Sequence, residues 1–507
     1  MLVHHAFEAT ARSLPDKTAL ISGDARVGYG ELLRRVQVLA VTLCDDGVAP
    51  GDRVLVFLEN SVEFVVAVHA VLAAGAVFVP ISALAKAEKL AFIARDTRAS
   101  ALLTQATLAS AWQAVLAVAP SLRSCRVAGA MPSADADPRV RPWQSTDTAG
   151  HRDEPTSGEH ELAALIYTSG TTGVPKGVML THANLLSAWA SIQTYLGLRE
   201  DDVIGLALPA AFSYGLSNLL IGMAIGATVV LDRWAAFPVK LAGMLARERV
   251  TVLPGVPTLF ASLLGLQDLA RFDLCSLRVI TNAAAALPES HLARLRDAIP
   301  HAQLFSMYGM TECIRASYLA PQDIDRRPGS VGRGVPYQAH WLIDEQGRRL
   351  PHGASGELVV SGRHVMQGYW ERAAETRSRL TPGADGGRVL RTGDIFRSDA
   401  DGYLYFVARM DDIIKTRGEK VAPREVENAI YQLDAVTGCA VVGVADEALG
   451  QAVKAYVTLR PGSGLGERDI VRHCLARLEN YMAPKFVEIV DELPRTESGK
   501  IRHASLR

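Results

Sequence analysis

The sequence has no long uninterrupted hydrophobic run, no excess of charge of either sign and no close pair of cysteines. Its longest apolar stretch, LSNLLIGMAIGATVVL at 216–231, is interrupted by Ser217 and Asn218. That falls short of the roughly twenty residues a membrane-spanning helix needs, so a buried helix running into a strand is expected. Lys and Arg number 53 against 54 Asp and Glu, a formal net charge of −1. No general attraction to nucleic acid or anionic lipid is therefore built in. Cys44, Cys125, Cys275, Cys313, Cys439 and Cys474 lie scattered, without a Cys-x-x-Cys pair. This argues against a disulfide frame or zinc site and for separate reduced thiols. The opening MLVHHAFEATARSLPDK carries Glu8 and Arg12 where a signal peptide needs an apolar core, so a cytoplasmic location is expected.

What is present is the composition of a globular protein: 49% hydrophobic and 21% charged residues. At 507 residues the chain exceeds one ordinary core, and roughly two to four domains are expected. DRVLVFLEN reads as a strand, SVEFVVAVHAVLAAG as a helix and AVFVPI as the next strand. The alternation returns with DDVIGLALP, the apolar segment 216–225 and ATVVLD, then with VTVLPGVP and LRVITNA. Apolar strands alternating with helices predict parallel sheets covered on both faces, the doubly wound α/β class. A polar stretch at 129–161 separates the first such unit from the next apolar run and reads as a surface loop. After residue 408 the texture changes to the charged RMDDIIKTRGEK and then a short strand–helix alternation, a small α+β domain with a polar tail.

The stretch LIYTSGTTGVPKGVML at 165–180 crowds hydroxyls and glycines beside one lysine, between two strand-like segments. One reading is a tight turn. A Walker-type loop needs G-x-x-x-x-G-K-[ST] leading into a helix; here VML after Gly177 looks like a strand, and that reading fails. The third reading is a different phosphate loop. Backbone N–H groups exposed by Gly170 and Gly173, with the hydroxyls of Thr168, Ser169, Thr171 and Thr172, would wrap a polyphosphate while Lys176 supplies a cation.

YTSGTTGVPKGV resembles the signature loop of the adenylate-forming superfamily, which holds acyl- and aryl-CoA synthetases, nonribosomal adenylation domains and luciferases. Four further motifs come in the family's order: YGMTE (308–312), RTGDI (391–395), ARMDDIIKTRGEKVAPREVE (408–427) and LPRTESGKI (493–501). The resemblance spans essentially the whole chain. It implies a large N-terminal region of doubly wound sheets (1–408), a hinge (409–412) and a small mobile C-terminal domain (413–507). It implies ATP and Mg²⁺ as cofactors, with Thr168, Ser169, Thr171, Thr172 and Lys176 on the β- and γ-phosphates and Glu312 on the metal. Thr311 would touch the α-phosphate, Tyr308 and Gly309 the adenine, and Asp394 and Arg409 the ribose. Lys500 would bridge the carboxylate and the α-phosphate. Asp411 matches the hinge position, and Gly418 lies where backbone lines a narrow thiol tunnel.

The expected reaction is ATP-dependent activation of a small carboxylic acid to an acyl adenylate, then transfer to a thiol. Coenzyme A is the expected acceptor, and the phosphopantetheine arm of a carrier protein is the alternative. A luciferase-like oxygenase and a non-catalytic nucleotide-binding homologue are further alternatives. Phe212, Ser213, Tyr214, Gly215 and Asn218, with Ala283 and Ala284, occupy the acyl-pocket positions. Ser213 stands where amino-acid adenylation domains commonly carry an Asp, and a serine cannot neutralise a buried ammonium, so α-amino acids are disfavoured. Ala283 and Ala284 replace the family's frequent glycines, and their methyls predict a slim or short acid. Arg315 is expected to be an ordinary ion-pair or surface residue, with contact to a second anionic group on the substrate as the sharper alternative.

Overall fold

A computed structural model describes residues 1–130, 137–143, 158–169, 174–232, 237–283, 285, 287–383, 387–416, 419–446, 449–496 and 501–506. Two large sheets organise the N-terminal four-fifths of the chain. In the first, the strands run in the order Gly368–Tyr369, Pro175–Thr181, Leu162–Ser169, Val77–Ile81, Arg53–Phe57, Ala101–Gln105, Ser124–Ala128 and Val140–Pro142. From Leu162–Ser169 to Val140–Pro142 the pairings are parallel, and the first two strands join antiparallel. The second places Gln303–Tyr308, Val279–Asn282, Val252–Gly255, Val203–Leu206, Thr228–Leu231 and Thr18–Ser22 side by side in parallel, with antiparallel strands at both edges.

The apolar runs are explained by burial on both faces. Val54, Phe78 and Ile166 of one sheet and Leu20, Val229 and Val279 of the other share a core with helical residues such as Leu39, Val68 and Leu219. Helices Tyr29–Asp45, Val62–Ala73 and Ser213–Ile225 thus lie between the sheets. The opposite faces pack into two separate outer cores. Ser213–Ile225 does run into the strand Thr228–Leu231, turning at Gly226. Among the described residues no helix is long and apolar enough to cross a membrane.

Two features depart from the sequence reading. The polar stretch at 129–161 is not loop throughout, because Val140–Pro142 returns to the sheet edge. Its Arg141 joins Arg126 on the buried Asp46 carboxylate, at 2.6 and 2.7 Å, which fastens the edge strand. A third, antiparallel sheet was also not foreseen: Ala339–Ile343, Ser355–Ser361, Arg388–Ser398 and Leu380–Pro382, with Leu404–Arg409 paired to Arg388–Ser398.

Beyond Arg409 a fourth sheet carries the strands Ile414–Thr416, Glu419–Val421, Val436–Asp446, Gly450–Leu459 and Phe486–Ile489. Helices Pro423–Ile430 and Glu467–Leu475 cover it over a core of its own that includes Val426, Ile430, Val441, Val453 and Ile470.

Burial leaves several histidines neutral at physiological pH. Desolvation, with the neighbouring histidines adding, pushes His4 down to about 3 and His182 to about 4. Desolvation alone drives His69 to about 4, against a hydrogen bond with the Val65 carbonyl, and His364 to about 3. In the unfolded chain each takes a proton below about 6.5, whereas the folded chain resists until pH approaches these lowered values. Stability therefore falls as pH drops below about 6.5, by up to about 1.4 kcal/mol per pH unit for each histidine. Denaturant midpoints between pH 7.5 and 5 are expected to decline steadily, and a flat profile would contradict the burial.

Candidate active site

The hairpin formed by Leu162–Ser169 and Pro175–Thr181 pairs Thr168 with Lys176. Gly170, Thr171, Thr172 and Gly173 at its tip lie outside the described residues. The Lys176 ammonium stands over the ring of Tyr369, 5.7 Å from its centre. Tyr369 is held by the short strand Gly368–Tyr369, which adds to the edge of the hairpin with Tyr369 opposite Val178. Its hydroxyl donates to Glu312 Oε1 at 2.7 Å. Burial, with the Glu312 charge adding, raises the Tyr369 phenol, so it stays a proton donor. Tyr369 thereby joins the glycine-rich hairpin of one sheet to the 308–312 segment of the other. It is not among the residues expected from the sequence, and nothing in MQGYW singles it out.

The 308–316 loop is tightly folded. Ala316 N–H returns to the Tyr308 carbonyl at 2.9 Å, and Ile314 takes a left-handed φ of 61°. A Cβ at Gly309 would lie 2.5 Å from the Ile314 carbonyl oxygen, so only glycine fits the turn. The turn leaves Thr311 half-buried and Glu312 buried, with the Glu312 carbonyl accepting from Met366 N–H at 2.9 Å.

The third sheet supplies the next wall. Asp394 sits opposite Arg409 where Arg388–Ser398 pairs with Leu404–Arg409. Its Oδ2 accepts from the Tyr308 hydroxyl at 2.6 Å, and Arg409 Nε lies 3.2 Å from Oδ1. The Tyr308 ring meets Phe396 edge-on, with ring centres 4.8 Å apart. Desolvation raises the Asp394 carboxyl, while the Arg409 charge and the Tyr308 hydrogen bond oppose it. Although Arg409 is close, Oδ1 has no aligned hydrogen bond and is buried. A buried carboxylate oxygen in that state suits a ligand hydroxyl.

The helix Ser213–Ile225 begins after Phe212, and its first turn approaches the chain closely enough that a Cβ at Gly215 would collide with the Pro209 carbonyl. Ser213 Oγ is 3.3 Å from Thr311 Oγ1, although 98 residues separate them. Asn218 Nδ2 donates to the Tyr214 carbonyl at 2.8 Å, which stiffens that turn. The Tyr214 hydroxyl lies 2.6 Å from Thr281 Oγ1, tying the helix to the strand that leads to the buried Ala283. Phe212, Ser213 and Tyr214 are half-buried, as are Tyr308 to Thr311, while the residues just after each set are buried. The Ser213–Thr311 contact brings these two half-buried sets side by side. Arg315 is only 3% exposed and pairs with no carboxylate among the described residues, so neither the surface position nor the ordinary ion pair expected for it holds.

Asp411 lies exposed in the single turn Met410–Asp412 between the third and fourth sheets. Ala284, Gly418 and Lys500 lie outside the described residues, as does the Ser169 side chain. Around Lys500 the flanks are defined, since Arg495 and Ile501 form an antiparallel bridge.

Residues 7–370 match the family model of the AMP-binding enzymes, and residues 425–500 match that of the AMP-binding enzyme C-terminal domain. The chain belongs to the AMP-binding enzyme family. It is 33% identical to the 3-[(3aS,4S,7aS)-7a-methyl-1,5-dioxo-octahydro-1H-inden-4-yl]propanoyl:CoA ligase of Rhodococcus jostii, over 99% of this chain and 97% of that one. It is 34% identical to the feruloyl-CoA synthase of an Amycolatopsis species, over 98% and 96%. The crystal structure of an anthranilate CoA ligase in complex with anthranoyl-AMP superposes with a TM-score of 0.90 at 28% identity, covering 100% of this chain and 96% of that one. This AMP-binding enzyme is an AMP-forming acid–thiol ligase of the acyl-CoA synthetase type, built on the mixed α/β fold of its relatives.

Proposed function

We propose that the enzyme binds ATP across the cleft, activates a small carboxylic acid as its acyl adenylate, and passes the acyl group to coenzyme A. One observation carries the reading. Groups from three sheets are joined by two links: Lys176 stands over the Tyr369 ring, whose hydroxyl donates to Glu312, and the Tyr308 hydroxyl donates to Asp394, which Arg409 faces as an ion pair.

The chemistry brings an anion onto the α-phosphorus of a polyanion, so neutralising charge in a water-poor cleft is the main task. Asp394 and Arg409 would hold the ribose, the under-bonded Oδ1 accepting from a ribose hydroxyl. The Tyr308 ring would lie against the adenine, its hydroxyl anchored on Asp394. Thr168, Lys176 and the 169–173 segment would hold the β- and γ-phosphates, and Thr311 the α-phosphate. Mg²⁺ would add charge neutralisation, held by the buried Glu312 carboxylate and phosphate oxygens. An ion of that kind takes one or two carboxylates together with substrate phosphates. Tyr369 keeps that carboxylate oriented. Lys500, carried by the small domain, would place its ammonium between the acid and the α-phosphate. Rotation about 409–412, with Asp411 in the pivot, would then withdraw Lys500 and bring the Gly418 segment in to line the thiol's approach.

The test is isotope exchange between pyrophosphate and ATP across an acid panel, followed by product analysis with coenzyme A and with pantetheinylated carrier proteins. Acid-dependent exchange, AMP as the nucleotide product and an acyl-CoA thioester are expected. ADP as product would overturn the reading, and a thioester formed only on carrier protein would replace the acceptor.

A further inference from the structure

Arg315 is buried directly behind the Ser213–Tyr214 turn. Its Cζ lies 4.8 Å from the centre of the Tyr214 ring, one residue along the helix from the Ser213 that meets Thr311. The guanidinium is almost wholly buried, and its Nε has no hydrogen-bond partner among the described residues. Nη1 donates to the neighbouring Ile314 carbonyl at 3.3 Å. Tyr195 lies close by: its hydroxyl hydrogen-bonds the guanidinium and also meets Met307 Sδ at 3.0 Å, and its ring stacks on Tyr318 at 4.2 Å, so two tyrosines surround the charge but no counter-charge does among the described residues. Both Tyr195 and Tyr214 feel the arginine's charge.

A guanidinium keeps its charge inside a protein. A buried charge without a counter-charge is expensive, and a cation–π contact and a neutral tyrosine hydrogen bond return only part of that cost. A residue placed only for packing would be better served by methionine or leucine. The position fits a charge whose partner arrives with the substrate.

We propose that Arg315 receives a second oxyanion at the far end of the acid, so that the preferred substrates are short dicarboxylic acids activated at the carboxylate distant from Arg315. This rests on the acyl-adenylate reading above. The Tyr214 ring covers the guanidinium. On binding, the ring yields, and the cation–π contact is exchanged for charge-assisted hydrogen bonds from Nε and an Nη to the carboxylate, which are the stronger interaction. The Tyr214 hydroxyl, paired with Thr281, anchors the ring's far edge and limits its excursion. A mono-acid of equal length leaves the guanidinium covered and unpaired, and gains nothing at that end.

The experiment compares pyrophosphate exchange on succinate, glutarate, adipate and isophthalate with butyrate, valerate, hexanoate and 3-methylbenzoate, in wild type and in Arg315→Met. Wild type is expected to favour at least one diacid over its mono-acid partner by about 10²-fold or more in kcat/KM, toward the roughly 10⁴–10⁵-fold by which a site built for a polar group rejects an analogue lacking it. Arg315→Met should invert that preference while folding at least as stably, because an unpaired buried charge is replaced by an apolar side chain of similar length. A purely structural arginine would leave the diacid to mono-acid ratio unmoved. Exchange on mono-acids alone in wild type, or an unchanged ratio in Arg315→Met, overturns the proposal and leaves adenylate formation standing. Absence of exchange with every acid would instead strike the underlying reading.

Discussion

Lys500→Ala should slow adenylate formation by about 10²–10³-fold or more, the loss typical of removing one group that stabilises charge developing in a transition state. Thioester formation from chemically prepared acyl adenylate should keep most of its rate. The split follows from where the lysine is carried. It precedes Ile501, which packs against the patch of Ala440, Val442, Leu493 and Leu506 on the small domain's sheet. The bridge between Ile501 and Arg495 fixes that attachment. If Lys500 serves the reaction from the small domain, as proposed, it acts only when that domain presents it, and its removal should touch one half-reaction. Lys500→Arg keeps the charge on a bulkier, planar head and should recover only part of the rate. Equal losses in both half-reactions would show that the residue supports the fold, and the division of labour between the domains would be lost with it.

How far the sequence carried depended on which physical signal each element leaves. The parallel strands were legible because burial on both faces demands apolar runs, as in Arg53–Phe57 and Val77–Ile81. The third sheet leaves no such trace. Arg388–Ser398 alternates buried and half-buried positions around a glycine and a bulge, and reads as a polar loop. The motif residues were found because each motif is local. What joins them is not local: Ser213 to Thr311, Lys176 through Tyr369 to Glu312, and Tyr308 to Asp394 are contacts between distant segments. Arg315 was misjudged for the same reason. An arginine beside Thr311 and Glu312 invites an ion-pair reading, whereas among the described residues it is aromatic side chains that fold around it.

Asp394 is the place where fold and ligand binding can be separated most sharply. Asp394→Ala should lower kcat/KM for ATP by about 10²-fold, through the loss of hydrogen bonds to a charged acceptor. It should also destabilise the chain by about 1–3 kcal/mol, because the Tyr308 hydroxyl is left without its acceptor in a buried setting. Arg409 adds little to that cost. Its side chain is 44% exposed and can return to water. Asp394→Asn keeps an oxygen for the Tyr308 hydroxyl and removes the charge that faces Arg409. Its stability should therefore approach wild type while its affinity for ATP remains weakened. If the carboxylate served only to tie Tyr308 to the third sheet, the asparagine variant would restore stability and ATP affinity together. If it holds the ribose, the two readouts part, and measuring the urea midpoint alongside KM for ATP on the same two proteins decides between them.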